Sequence, residues 1–72
     1  MSGEAVWRLM NNSGVAALCY VDLLPDKRWI LVCWQGDHLL RSELHNEPTT
    51  AFHSAEALHA AFVAQGWLAS DE

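Results

Sequence analysis

The chain has 72 residues, enough for one small domain, and at this size only about 60 % of the unfolded surface is buried, so the core is thin. Its two cysteines, Cys19 and Cys33, are too few for a disulfide framework. The N-terminus lacks the order of basic, apolar and small residues of a signal peptide, and no apolar stretch approaches the roughly 20 residues that span a bilayer. We therefore expect a single soluble domain over residues 1–72, located in the reducing cytoplasm.

The charge balance disfavours nucleic acid as a partner. Nine acidic residues against four basic ones give a net charge of −5, which repels a phosphate backbone. A basic protein surface is the better electrostatic complement. The acidic residues are scattered along the chain, whereas a mimic of DNA would need them in a dense row.

Apolar segments separated by turn residues predict a meander of antiparallel strands at residues 4–10, 15–24, 28–35 and 38–45. Residues 11–14 suit a type I turn closed by a left-handed glycine, and Pro25 begins the second turn. Gly36 and Asp37 form the glycine-first pair that a two-residue hairpin loop prefers. These loop lengths also predict which residues lie opposite each other.

A helix is predicted after the last strand. Ser54 is suited to cap a helix over residues 55–65. Gly66 fits the left-handed residue that ends a helix, and Trp67 would then pack back onto Phe62.

The predicted fold class is α+β: a four-stranded antiparallel β-meander with one C-terminal helix packed on one face (ββββα). Residues 1–3 and 69–72 are expected to fray, because chain ends are rarely tied down in small domains.

The loop lengths divide the strand residues between two faces, since opposite residues of antiparallel strands point to the same side. The helix face, the side that the helix covers, is assigned Trp7, Leu9, Ala17, Cys19, Leu23, Trp29, Leu31, Cys33, Leu40, Ser42 and Leu44. The apolar stripe of the helix that would cover this face is Ala55, Leu58, Ala61 and Phe62, with Glu56, His59 and Val63 turned outward.

The outer face is the side of the sheet turned away from the helix. It is assigned Val6, Arg8, Met10, Leu18, Tyr20, Asp22, Ile30, Val32, Trp34, Leu39, Arg41 and Glu43. A sheet with one solvent side should be polar there, yet the middle of this face is apolar, and 51 % of the chain is hydrophobic. An uncovered apolar patch of more than a few hundred Å² marks an interaction surface on a soluble protein.

Two alternatives to an interaction surface stay open. An error of one residue in a loop length would exchange the residues of a whole strand between the faces. Otherwise, the chain tails and the connection at residues 46–53 could cover the apolar surplus by ordinary packing.

The residue types that carry chemistry do not form a familiar motif. The histidines and cysteines are five or more positions apart, unlike the short ligand spacing of zinc sites. A nucleophile pair of Cys33 and His38 is disfavoured, because burial raises the pKa of a thiol. We therefore predict no metal, no cofactor and no enzymatic activity, with both cysteines acting as small core residues.

The sequence thus favours a non-enzymatic protein-binding module that acts through the outer face, as a homodimer or with another protein of basic or apolar surface. An inhibitor or adaptor of a bacterium or its phage would suit such a short acidic chain. Trp34 is the best anchor, because tryptophan dominates interface energetics. The candidate interface residues are Leu18, Tyr20, Ile30, Val32, Trp34, Leu39 and Arg41. The alternative is a small-ligand-binding or substrate-binding subunit of an oligomeric enzyme.

Overall fold

Strands form at all four places where apolar and β-branched residues accumulate, in a computed structural model that describes residues 5–69. The elements are β1 (Ala5–Met10), β2 (Ala16–Leu23), β3 (Trp29–Gln35), β4 (His38–His45), α1 (Pro48–Ala64) and β5 (Leu68–Ala69). They build one antiparallel sheet of five strands in the order β4-β3-β2-β1-β5. The predicted α+β ββββα fold is confirmed, and β5 is a short addition to it.

The hairpin loops follow the turn chemistry of the sequence. The side-chain oxygen of Asn11 accepts hydrogen bonds from the backbone N–H groups of Ser13 and Val15, both at 2.9 Å, and Gly14 takes the left-handed conformation with φ 83°. This loop sets Trp7 opposite Cys19, as predicted. The register of β2 with β3 is also confirmed.

The predicted register of β3 with β4 is wrong beyond its first pairs. Trp34 lies opposite Leu39, but Cys33 lies opposite Arg41, so Leu40 is an additional residue in β4. A bulge of this kind makes two residues of one strand oppose one residue of its partner. Every later residue of β4 therefore changes side: Arg41, Glu43 and His45 lie on the helix face, and Ser42 and Leu44 lie on the outer face.

The helix begins at Pro48 and not at residue 55. Proline suits the first helical position, since its missing N–H group would have no partner there and its φ is already helical. Glu47 precedes it in an extended conformation as the N-cap residue. Ser54 is therefore an interior residue of α1 and not its cap.

The end of α1 is confirmed as predicted. Gly66 has φ 97°, and its N–H group donates to the carbonyl of Val63 at 3.0 Å. The N–H group of Trp67 donates to the carbonyl of Phe62 at 3.2 Å, and the two rings meet edge to face at 5.0 Å between centroids. These paired bonds and the apolar contact are the features of a Schellman motif.

The core lies between α1 and the helix face of the sheet. Its buried residues are Leu9, Ala17, Cys19, Val21, Leu31, Cys33, Ala51, Ala55, Phe62 and Trp67. Two residues of α1 differ from prediction, because Ala61 is exposed and His59 packs on Trp7 with 5.6 Å between ring centroids. Trp7 is fixed by its indole N–H group, which donates to the carbonyl of Ala55 at 2.8 Å.

The segment after Trp67 returns to the sheet. Ala69 pairs with Leu9, and Leu68 pairs with Met10, so β5 covers part of the free edge of β1. Ala69 was expected to fray, and in the structure it lies in β5. The rest of that prediction, for residues 1–3 and 70–72, falls outside the described residues.

Candidate functional site

The candidate site is the outer face of the sheet, built from alternate residues of all five strands. Opposite residues in each antiparallel pair share a side, so the pairing assigns the members directly. They are Ala5, Arg8, Met10, Ala16, Leu18, Tyr20, Asp22, Ile30, Val32, Trp34, Leu39, Ser42, Leu44 and Leu68.

The most apolar part of the outer face is a row across its middle. Trp34 of β3 lies between Leu18 of β2 and Leu39 of β4, each directly opposite it. The next row brings Tyr20 beside Val32. A tryptophan flanked by aliphatic side chains on a sheet is the kind of anchor that dominates interface energetics.

The outer face is uncovered within residues 5–69, because α1 packs on the other side and the remaining elements are strands of the same sheet. Residues in its middle are half-buried by their own neighbours in the sheet. Toward the β4 edge, Leu39 is 53 % exposed and Leu44 is 52 % exposed. Scattered exposed leucines are ordinary on a protein surface, but these continue a contiguous apolar face.

The outer face carries little charge although the whole chain has a net charge of −5. Among its members, only Arg8 on β1 and Asp22 on β2 are charged, and their signs are opposite. Within residues 5–69 the other acidic residues lie off this face. This face can approach an apolar surface with little cost of burying charge.

The structure brings together all of the predicted interface residues except Arg41. Arg41 lies opposite Cys33, on the helix face, where its guanidinium donates to the Oε2 atom of Glu43 at 3.0 Å. Its predicted place on the outer face is wrong because of the bulge at Leu40. Leu44 belongs to the outer face and was missed for the same reason, although the adjacent Leu39 and Leu40 were a signal that either could face outward.

A polar cluster lies at the β4 edge of the helix face. The Nε2 atom of His45 lies 2.8 Å from Oε1 of Glu43, and its Nδ1 atom lies 3.0 Å from the hydroxyl of Thr50. Hydrogen bonding to His45 holds the pKa of Glu43 below its usual value, and hydrogen bonds from Arg41 and Ser54 add to this effect against partial burial. The cluster joins β4 to the first turns of α1.

The cysteines lie directly opposite each other on β2 and β3, and both are free and fully buried. Burial raises the pKa of the Cys19 thiol to about 12, and the neighbouring Cys33 and Glu43 act in the same direction. Burial also raises the pKa of Cys33. Both side chains are thus neutral thiols, which are poor nucleophiles and poor metal ligands.

The histidines and acidic residues do not assemble into a metal site in the part of the chain that the structure describes. No group of three or more histidine, cysteine, aspartate or glutamate side chains within residues 5–69 is placed to hold an ion. His38 is exposed beside Asp37, with 3.8 Å between Nε2 and Oδ1. His53 is exposed on α1.

Comparison with known proteins yields no family assignment: no protein-family model, no curated protein and no solved structure matches the chain. As for membranes, α1 falls short of the length and hydrophobicity of a spanning helix, and it is the one helix within residues 5–69. The inference of function therefore depends on the geometry of the outer face.

Proposed function

We propose that the protein is a non-enzymatic protein-binding module and that the occupant of its outer face is a second copy of the chain. The observation that carries this proposal is the apolar row of Leu18, Trp34 and Leu39, which crosses three strands with no layer above it in residues 5–69. Two such faces packed about 10 Å apart would form a second core like that of a β-sandwich.

The size of the outer face fits a small interface. Four strands at about 4.8 Å spacing, each about seven residues long at about 3.3 Å per residue, give a projected area of roughly 450 Å². A face-to-face pair would therefore hide roughly 900 Å² of projected area. The accessible surface that it buries would be larger, because side chains roughen the face. This buried area approaches the lower range of specific interfaces. We expect a dimer that dissociates on dilution.

The charge of the outer face favours a second copy over a basic partner. An interface with a basic protein would need acidic residues in its contact area, but Asp22 is the one acidic member of the face within residues 5–69. Two copies can meet without a cluster of like charges, because Arg8 and Asp22 cancel. A two-fold pair is also the simplest arrangement, because one self-complementary patch then covers the outer face of both chains.

The proposed setting is the reducing cytoplasm, where two free thiols on neighbouring strands would stay reduced. An inhibitor or adaptor role remains part of the proposal, as a use of the same surface. In either role the protein acts by association, and the raised pKa values of its buried thiols support this, because they disfavour nucleophilic chemistry at the cysteines.

The test is a charge placed on the outer face. Analytical ultracentrifugation over about 1 to 100 μM should show a monomer–dimer equilibrium for the parent chain. Trp34→Asp should shift it to monomer, because a carboxylate would be buried without a partner in the dimer. Leu39→Asp should have the same effect at a more exposed position, where the fold itself is less disturbed.

Val63→Asp is the matched control, since Val63 is 46 % exposed on the outward side of α1. This variant should dimerise like the parent. A parent chain that stays monomeric at the highest concentration, or a folded Leu39→Asp chain that dimerises as strongly as the parent, would contradict the proposal. Circular dichroism establishes that each variant is folded.

A further inference from the structure

The two charged side chains of the outer face, Arg8 and Asp22, form no ion pair with any residue among 5–69. The other two arginines of the chain differ in this respect. Arg28 and Arg41 each bind an acidic side chain, at 2.8 Å and 3.0 Å. Arg8 is exposed, and Asp22 is half-buried beside Ile30. A half-buried carboxylate gains from a counter-ion, because burial without one is costly.

Arg8 and Asp22 are too far apart to pair within one copy of the chain. Arg8 lies opposite Leu18, and Asp22 follows Leu18 by four positions along β2. At about 3.3 Å per residue and about 4.8 Å between strands, the backbones of the two residues are about 14 Å apart. An ion pair needs about 4 Å or less between nitrogen and oxygen. Both charges can therefore be paired only from outside this part of the chain.

A two-fold dimer satisfies both charges with a single placement. A two-fold axis in the plane between two sheets exchanges the positions of the two copies. When the axis passes halfway between Arg8 and Asp22, perpendicular to the line that joins them, Arg8 of each copy lies over Asp22 of the other. The sheets are then about 10 Å apart, a distance that an arginine and an aspartate side chain span together.

We propose that Arg8 of each copy forms an ion pair with Asp22 of the second copy, and that these two symmetric pairs set the register of the dimer. The inference rests on the proposed function, because it applies to a dimer formed through the outer face. The two residues determine which surface is accepted as a partner, since like charges at these contacts would repel.

The placement that joins the charges gives a packing angle close to that of β-sandwiches. The line from Arg8 to Asp22 crosses one strand spacing over four residues, so it is inclined to the strands by about 20°. A two-fold axis perpendicular to this line makes the strands of the two sheets cross at twice that inclination, about 40°. Aligned sheets in sandwiches cross at about 30°.

The sense of the crossing agrees as well. The N–H group of Gly36 donates to the carbonyl of Ala16 at 2.7 Å, so the pair of Leu18 and Trp34, two residues away, is also hydrogen-bonded. When the outer face is viewed with β2 running upward, L-residues in this pattern place β3 to the right of β2 and β1 to the left. The line between the two charges then runs from lower left to upper right, which gives the negative crossing angle of aligned sandwiches.

The same placement covers the apolar row of the outer face. On these spacings Trp34 of one copy comes to lie over Val32 and Ser42 of the other, which are neighbours across β3 and β4. The tryptophan is then enclosed between the sheets, and the ion pairs flank it on the side of β1. A central apolar contact with polar groups beside it is the usual arrangement of a protein interface.

Sedimentation of two charge-reversal variants, alone and mixed, tests the proposal at about 0.15 M salt. Arg8→Glu brings two carboxylates together at each contact, and Asp22→Lys brings two cations together. Each variant alone should therefore dissociate about tenfold more readily than the parent chain. In an equal mixture, the carboxylate introduced at position 8 meets the ammonium introduced at position 22, and the unchanged Asp22 meets the unchanged Arg8. The mixture should form a heterodimer about as stable as the parent dimer.

Matched controls carry the same changes of charge away from the outer face. Lys27→Glu and Asp37→Lys alter exposed residues of the two loops that flank β3. They correct for the change in net charge, and both should dimerise like the parent, with no gain on mixing. Circular dichroism establishes that every variant is folded.

The outcomes separate this inference from the proposed function. A parent chain that stays monomeric contradicts both. If the parent dimerises but both reversal variants dimerise as strongly, or if their mixture is no stronger than either variant alone, the ion pairs are overturned and the dimer stands.

Neutral variants supply the same test if a reversal variant does not fold. Arg8→Gln and Asp22→Asn should each weaken the dimer, and the second substitution should add little once the first has removed the pair. Effects that simply add would overturn the ion pairs.

Discussion

The two faces of β3 carry similar residues but differ in what covers them. Leu31 and Cys33 point toward α1 and are fully buried, whereas Val32 and Trp34 between them point to the outer face and stay half-buried. A central strand that is apolar on both sides is typical of a sheet covered on both faces. The described residues supply a layer on one of these two faces only, which is the observation behind the proposed association.

The largest effect should come from shortening one side chain on each face of β3. Leu31→Ala should lower the free energy of unfolding by about 2 to 5 kcal/mol, because it opens a cavity in a closed core. Val32→Ala should cost about 1 kcal/mol in the monomer, where its environment is partly solvent. Urea unfolding measures both values.

Unfolding measured at several protein concentrations tests the difference between the two faces of β3 further. If a second copy covers the outer face, the cost of Val32→Ala should grow as the parent chain is driven into the dimer, because association stabilises the folded state by mass action. The cost of Leu31→Ala should change little with concentration. Costs for Val32→Ala that are the same at low and high concentration would argue that the outer face is ordinary surface.

An intermediate effect is expected from the thiols of the helix face. Replacing both Cys19 and Cys33 by alanine should lower the free energy of unfolding by about 1 to 3 kcal/mol, since each replacement removes a buried sulfur. The dimer measured by ultracentrifugation should persist, because the outer face is unchanged. A double variant that unfolds like the parent but no longer associates would show that the cysteines serve the interface and not the core.

Local sequence signals were enough to predict the register of β2 with β3, and that of β1 with β2 from Trp7 onward. The register shift between Ala5 and Trp7, which leaves Val6 as an additional residue of β1, was not predicted. The turn residues around Gly14 and Pro25 fix the loop lengths, and each loop length determines which residues are opposite. The helix end was predictable for the same reason, because Gly66 and Trp67 act within one turn of the chain.

The bulge at Leu40 could not be predicted from local chemistry. Leu39 and Leu40 are both suited to a buried or half-buried position, so the pattern of apolar residues does not say which one is additional. More distant contacts favour the bulge: it lets His45 reach Thr50 and Glu43, and it places Leu44 on the outer face. Because the bulge was not predicted, Arg41 was placed on the outer face and Leu44 was left out of it.

The start of α1 was not predicted, because a proline such as Pro48 is compatible with two opposite structural roles. Proline breaks a helix in its interior and favours it at the first position. Ser54 and Glu56 resemble a cap and a first turn, and they were the more visible signal. The contacts that favour the earlier start are tertiary, since Ala51 and Ala55 are fully buried against the sheet.

The smallest expected effect on stability comes from two carboxylates, those of Glu43 and Asp26, whose pKa values are both lowered. The pKa of Glu43 lies below its ordinary 4.5 in the folded chain, chiefly because of the hydrogen bond with His45. A group with a lowered folded pKa adds stability above its unfolded pKa, and this contribution is lost as the pH falls through the folded value. Glu43→Gln should therefore cost about 1 kcal/mol at pH 6, with the cost shrinking below about pH 4.

Asp26 provides the control, because its pKa is lowered by hydrogen bonds from Arg28 in an exposed turn. Water and salt screen such a pair, so Asp26→Asn should change stability less than Glu43→Gln at pH 6. Urea unfolding from pH 3 to 7 measures both variants against the parent. A cost of Glu43→Gln that is equally large at pH 3 and pH 6 would mean that the side chain stabilises the fold by packing, and that its charge does not link β4 to α1.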